Sequence, residues 1–125
     1  MLRAVLVAGL PGSGKSTYCK STGLRVFDEF APADEKHLDP TVSFIANSQA
    51  LCDPENMQRA IAMIEDACPN HKIELIYFSN DPAQCYINVC KRGTKKVSEG
   101  FLHHLSSLYH PPSETMPVYK EPEDG

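Results

Sequence analysis

The stretch Arg3–Thr17, RAVLVAGLPGSGKST, decides the reading of this chain. It opens with a continuous apolar run, Arg3 to Ala8, passes through a glycine-rich turn, and continues into residues that read as a helix from about Lys15 to Lys20. Residues Gly9 to Ser16 match the pattern G-x-x-x-x-G-K-[ST] at every fixed position. Glycines at such a turn let the backbone wrap closely around phosphate oxygens with its N–H groups pointing inward. The helix that follows directs its N-terminal dipole at the same anion. Gly9, Pro11, Gly12, Ser13 and Gly14 are therefore expected to form a phosphate cradle, with Lys15 reaching the β and γ phosphates. The Ser16 hydroxyl is placed to ligate Mg²⁺, and Thr17 to meet the base or pack the helix.

Outward from this motif, strand and helix patterns alternate. Leu24 to Phe27 and Val42 to Ala46 read as strands, and Ala31 to Pro40 between them as a polar, proline-bearing loop. Asp53-Pro54-Glu55 is a helix start, with Asp as N-cap and Pro at the first helical position. That helix runs to about Cys68, with Met57, Ile61, Ile64 and Cys68 on one face. Ile73 to Phe78 is a fourth strand, Asn80-Asp81-Pro82 opens a helix to about Cys90, and a further helix runs from about Ser98 to Tyr109. The alternation implies βαβ units around a mostly parallel sheet, an α/β fold.

Length and composition agree. A chain of 125 residues with 42% apolar content suits a single small domain. Leu2 to Leu10 has the look of a signal-peptide core, but it runs into the lysine motif and reads as a buried first strand. Five cysteines without a CxxC pair fit neither a zinc site nor a disulfide framework, and point to reduced thiols and a cytoplasmic setting. The five histidines are scattered, and His103-His104 diverge on a helix, so no metal pair is expected from them. Residues 1–110 carry twelve acids against eleven Lys and Arg, whereas Pro111–Gly125 carries four acids against Lys120. A nearly neutral body argues against strong non-specific nucleic-acid binding. The 111–125 segment, with its prolines and acids, is expected to be an extended or mobile arm.

Two further segments carry candidate chemistry. Asp28-Glu29 ends the second strand, where open α/β sheets bind ligands, so a carboxylate there can take a hydroxyl proton or hold Mg²⁺. Asp28 is the stronger of the two candidates. The run Lys91-Arg92-Gly93-Thr94-Lys95-Lys96 places four cations around a glycine, and reads either as a solvated basic loop or as a lid over triphosphate charge.

INVCKRGTKKVSEGFLHHLSSLY, taken with GLPGSGKST and FDEF, resembles the kinase domain of phage-type 5′-hydroxyl polynucleotide kinases, within the group of small P-loop kinases that includes zeta-toxin-like enzymes. The resemblance covers residues 3–109. It implies a three-layer P-loop NTPase fold, with a small, mostly parallel sheet of four or five strands flanked by helices over residues 1–110. It implies an ATP-dependent, Mg²⁺-requiring kinase whose acceptor is the 5′-hydroxyl of a polynucleotide or, failing that, a nucleotide or another small hydroxyl compound. In that reading Lys15 and Ser16 take the phosphate and magnesium roles, Asp28 deprotonates the acceptor and contributes to the metal, and Arg92 with Lys95 grips the ATP phosphates. Two positions depart from the family. Asn47-Ser48-Gln49 stands where an acid is usual, and Phe30, Ala31 and Pro32 stand where an acceptor-gripping arginine is usual. These departures keep open a nucleotide-binding regulator with little transfer activity.

Overall fold

Strand β1 (Arg3–Ala8) lies inside the sheet because both of its faces are apolar. Ala4, Leu6 and Ala8 point to one side, and Val5 and Val7 to the other. The computed structural model describes residues 1–93 and 97–120. In it, β1 is flanked by β3 (Phe44–Asn47) and β4 (Lys72–Tyr77), with β2 (Arg25–Phe27) beyond β3. The order is β2-β3-β1-β4 and every pairing is parallel, so the protein is an α/β fold on a four-stranded sheet.

Helices cover both faces. Helix α1 (Lys15–Ser21) buries Cys19 against Val5, Val7 and Ile45. Helices α2 (Pro54–Ala67), α3 (Pro82–Lys91) and α4 (Glu99–Leu108) share the opposite face. There Met57, Ala60, Ile64, Cys85, Leu102 and Leu105 pack with Leu6 and Phe44. The helix starts are those the sequence predicts: Asp53 Oδ1 accepts from the Glu55 N–H at 2.9 Å, and Asp81 Oδ1 accepts from the Gln84 N–H at 3.1 Å. The Tyr109 hydroxyl, buried at the end of α4, donates to the Phe78 carbonyl and lies 3.3 Å from that of Ala8. It thereby fastens α4 beneath the C-terminal ends of β1 and β4.

Three local details differ from the sequence expectations. Residues Pro32–His37, expected as loop, form a 3-10 turn: Pro32 supplies a preset φ and Asp34 Oδ2 accepts from the Ala31 N–H at 2.9 Å. The third strand includes Asn47, which is 1% exposed. The segment after α4 is extended as its prolines suggest, yet Met116 bridges to Phe78 in parallel register on the free edge of β4. The Met116 N–H donates to the Tyr77 carbonyl at 2.8 Å, and its carbonyl accepts from the Ser79 N–H at 2.9 Å. Val118 then packs on the main core.

Candidate functional site

The glycine-rich turn leaves the C-terminal end of β1 and enters α1. Two of its residues need glycine. Gly12 has φ 85° and Gly14 φ 104°, both in the left-handed region. A Cβ on Gly12 would stand 2.6 Å from the Cys85 carbonyl oxygen, and one on Gly14 2.9 Å from the Tyr119 Cβ. The turn is thus pressed against α3 on one side and the C-terminal segment on the other. The Ser13 N–H donates to the Leu10 carbonyl at 3.1 Å and closes the loop. The Ser13 Oγ is buried and has no hydrogen-bond partner among the described residues.

Lys15 is only 7% exposed, and its Nζ donates to the Leu10 carbonyl at 3.0 Å. Burial lowers its pKa below the ordinary 10.5, opposed in part by nearby groups that include Glu29. The same low-dielectric position pushes the neighbouring thiols up, Cys52 to about 11 and Cys85 to about 12, so both are neutral here. The two thiols therefore place no negative charge beside Lys15.

Across from it, a polar cluster joins α1 to two strand ends. The Ser16 hydroxyl donates to Asp28 Oδ1 at 3.2 Å, and the Asn47 Nδ2 donates to the same oxygen at 2.8 Å. Asn47 also approaches the Cys19 Sγ at 3.4 Å. Asn47 thus performs locally what the sequence did not suggest for it, which is to aim Asp28. Its neighbour Glu29 has φ 52°, an unusual backbone for a side chain of that size. The turn is held from both ends, because the Phe30 N–H donates to the Asn47 carbonyl at 2.9 Å.

These elements surround a cavity of about 230 Å³. Its walls bring together Pro11, Gly12, Gly14, Lys15, Ser16 and Thr17 of the expected cradle with Glu29, Asn47 and Arg92. Gly9 and Ser13 stand behind it: a Cβ on Gly9 would meet the Ser13 Oγ at 2.7 Å and the Phe78 Cβ at 3.0 Å. Asp28 joins through Ser16 rather than as part of the wall. Arg92 caps the end of α3, and its guanidinium lies 5.9 Å from the centre of the Tyr119 ring. Lys95, with Thr94 and Lys96, lies outside the described residues.

Ser16 Oγ and Asp28 Oδ1 are hard oxygen donors side by side, which suits Mg²⁺, an ion that keeps waters and phosphate oxygens in its remaining positions. The described residues hold no cluster of three or more His, Cys, Asp or Glu able to bind a metal by itself.

No protein-family model matches the chain. The Uncharacterized protein R277 of Acanthamoeba polyphaga mimivirus is 28% identical over 102 residues, 74% of this chain and 74% of that protein. A solved chain described as "Crystal structure of APE1195" superposes with a TM-score of 0.55 at 17% identity, over 99% of this chain and 87% of that one. No helix among the described residues is long and apolar enough to cross a membrane.

Two residues of the site escaped sequence reading. Asn88, fully buried on α3, donates to the Gly12 carbonyl at 2.8 Å and to the Tyr119 carbonyl. Tyr119 sits in the proline-rich segment whose composition predicts an extended or mobile arm, and its N–H donates to the Ser13 carbonyl at 3.0 Å. For Tyr119 the sequence signal is the apolar trio Met116, Val118 and Tyr119 amid polar and proline residues; the segment around Asn88 carries none.

Proposed function

We propose that this protein is an ATP-dependent phosphotransferase of the P-loop kinase kind, moving the γ-phosphoryl group to a hydroxyl acceptor. The observation that carries this reading is one cavity lined by the glycine-rich loop, Lys15, Ser16, a carboxylate from the end of β2 and the α3 arginine. A phosphate-binding loop alone supports binding. The carboxylate and the arginine on its far walls supply what transfer adds, a proton acceptor and a charge stabiliser.

In this reading the loop N–H groups and Lys15 hold the β and γ phosphates. Lys15 exchanges the Leu10 carbonyl for phosphate oxygen, which a flexible four-carbon side chain does without moving the loop. Ser16 and Asp28 would hold Mg²⁺, which would supply positive charge to offset that of the phosphates. Asn47 keeps Asp28 turned toward Ser16. Arg92 approaches from the end of α3 and stabilises charge as it moves onto the leaving group. The carboxylate pair Asp28-Glu29 supplies the group that takes the acceptor's proton. The 5′-hydroxyl of a polynucleotide is the acceptor that the sequence resemblance implies.

A second reading, a nucleotide-binding regulator, is favoured by Asn47: an amide there offers a metal no charge. Incubation with γ-labelled ATP, Mg²⁺ and a panel of 5′-hydroxyl DNA and RNA, nucleosides, nucleoside monophosphates and small alcohols separates the two. Label is expected in one acceptor class. Tight ATP binding with label in none would leave the regulator.

A further inference from the structure

Beside the phosphate-loop cavity lies a larger one of about 700 Å³, and Glu29 and Gln49 line both. It is formed between the Pro32–His37 turn, residues 48–51 and α2. Phe30, Leu51, Ala60 and Met63 give it apolar walls. Its charged lining is Glu29, Glu35 and Asp66 against Arg59 alone, and Arg59 lies 3.9 Å from Glu55. This volume is that of a site for one small molecule. A polynucleotide end needs cations for its phosphates and aromatic faces for its bases. Here acids outnumber cations, and the single aromatic residue in the lining is buried Phe30.

We propose that this cavity is the acceptor site, that it takes a small hydroxyl compound with an apolar body and a protonated amine, and that Glu29 takes the acceptor's proton. The proposal rests on the phosphotransferase reading and names its substrate class. The apolar body lies against Phe30, Leu51 and Met63, and the amine faces Glu35 and Asp66 at the rim. The hydroxyl then points to the boundary between the cavities, where Glu29 stands.

Asp28 is less suited to the proton because its Oδ1 already accepts from Ser16 and Asn47 and it lines neither cavity. Glu29 lines both, and its left-handed backbone is imposed by the Phe30–Asn47 hydrogen bond that follows it. Strain of this kind concentrates where a side chain must be aimed. In the step itself, the acceptor oxygen forms a bond to the γ-phosphorus while the bond from that phosphorus to the β,γ-bridging oxygen breaks. The electron pair of the broken bond leaves on ADP, and the hydroxyl proton passes to the Glu29 carboxylate.

Calorimetry on the ADP-bound protein tests the site apart from catalysis. Aryl amino alcohols such as phenylalaninol are compared with their N-acetylated counterparts and with a 5′-hydroxyl oligonucleotide. The amines are expected to bind up to about fivefold more tightly than the acetylated compounds, and Glu35→Lys and Asp66→Lys are each expected to remove most of that difference, the scale of an exposed charge contact. Equal binding of amine and amide, or tighter binding of the oligonucleotide, would overturn the acceptor class while leaving phosphoryl transfer standing. ATP binding with no transfer to any acceptor would instead overturn the phosphotransferase reading. For the base, Glu29→Gln is expected to lower kcat by about a hundredfold or more, with ATP affinity and amine binding retained. Glu29→Asn, a residue that tolerates this backbone, is the second variant in case the first folds poorly. An unchanged kcat in a folded variant would return the role to Asp28.

Discussion

The Tyr119 N–H donates to the Ser13 carbonyl at 3.0 Å, so the C-terminal segment is hydrogen-bonded to the middle of the glycine-rich loop. Asn88 completes the tie, with its Nδ2 reaching both the Gly12 and Tyr119 carbonyls. Loop, α3 and the end of the chain thus converge on one buried amide. Asn88→Ala leaves two carbonyls short of a donor. It is expected to lower stability by roughly 1–3 kcal/mol in urea unfolding, the cost of stranding buried polar groups. Limited proteolysis should cut the 111–120 segment of that variant faster; protection equal to the wild type would show that the tie is redundant.

The Tyr119 ring bears on the nucleotide separately from its backbone. It lies beneath the Arg92 guanidinium, and its Cβ stands 2.9 Å from where a Cβ on Gly14 would fall. Tyr119→Ala is expected to weaken ATP binding severalfold, because Arg92 loses a face worth about 0.5–1 kcal/mol. Tyr119→Phe keeps the face and should bind ATP as the wild type does. Equal affinities for Ala and Phe by calorimetry would remove the ring from the argument.

Asn47 gives a test of the metal site. Asn47→Asp replaces a donor 2.8 Å from Asp28 Oδ1 with a second carboxylate. Two like charges at that distance repel, and one of them is driven towards its neutral form. Without Mg²⁺ the variant is expected to lose about 2 kcal/mol. Added Mg²⁺ with ADP should recover much of this in thermal unfolding, and more than the same addition gives the wild type. A loss that Mg²⁺ leaves untouched would place the metal elsewhere.

The α/β sheet was legible because its signals are local. RAVLVA is apolar on both faces, as an interior parallel strand must be, and GLPGSGKST marks the turn that follows it. Asp53-Pro54 and Asp81-Pro82 announced their helices through capping that spans three residues. The parts that stayed hidden depend on distant partners. Met116 meets Phe78 across the sheet edge, and Asn88 is shared between residues 76 and 31 positions away. The left-handed backbone at Glu29 is likewise set by a strand that comes later in the chain, so nothing near it in sequence marks it as special.

Gly12 separates phosphate binding from simple flexibility. Its φ of 85° disfavours any side chain, and a methyl group would sit 2.6 Å from the Cys85 carbonyl and 2.9 Å from the Val89 Cγ2. Gly12→Ala must therefore push the loop off α3. A stability loss of about 1–3 kcal/mol, the usual cost of strain at such a position, is expected together with loss of ATP binding. Gly23→Ala is the control: its φ of 74° is also positive but its Cβ meets nothing within 4 Å, so it should cost stability and leave ATP binding intact. Equal ATP affinity in both variants would show that the loop tolerates displacement.

Lys15 gives a prediction whose sign depends on pH. Burial places its folded pKa below the ordinary 10.5 that the unfolded chain retains. Below the folded pKa both states hold the proton, and the cost of burying the ammonium is fully present. As pH rises through the folded pKa towards 10.5, the unfolded chain binds more protons than the folded one, so this group's contribution to stability improves with pH. Lys15→Met removes the charge and keeps the length of the side chain. The Leu10 carbonyl that loses its ammonium partner still accepts from the Ser13 N–H at 3.1 Å. The ligand-free variant is therefore expected to be more stable than the wild type near pH 7 by roughly 1–4 kcal/mol, the range seen when buried ionic groups give way to packed apolar ones. That advantage should shrink as pH is raised, while ATP binding is lost at every pH. Urea midpoints of both proteins at neutral and alkaline pH measure the difference, and a gap that stays constant or widens would mean that the folded protein does not penalise this charge.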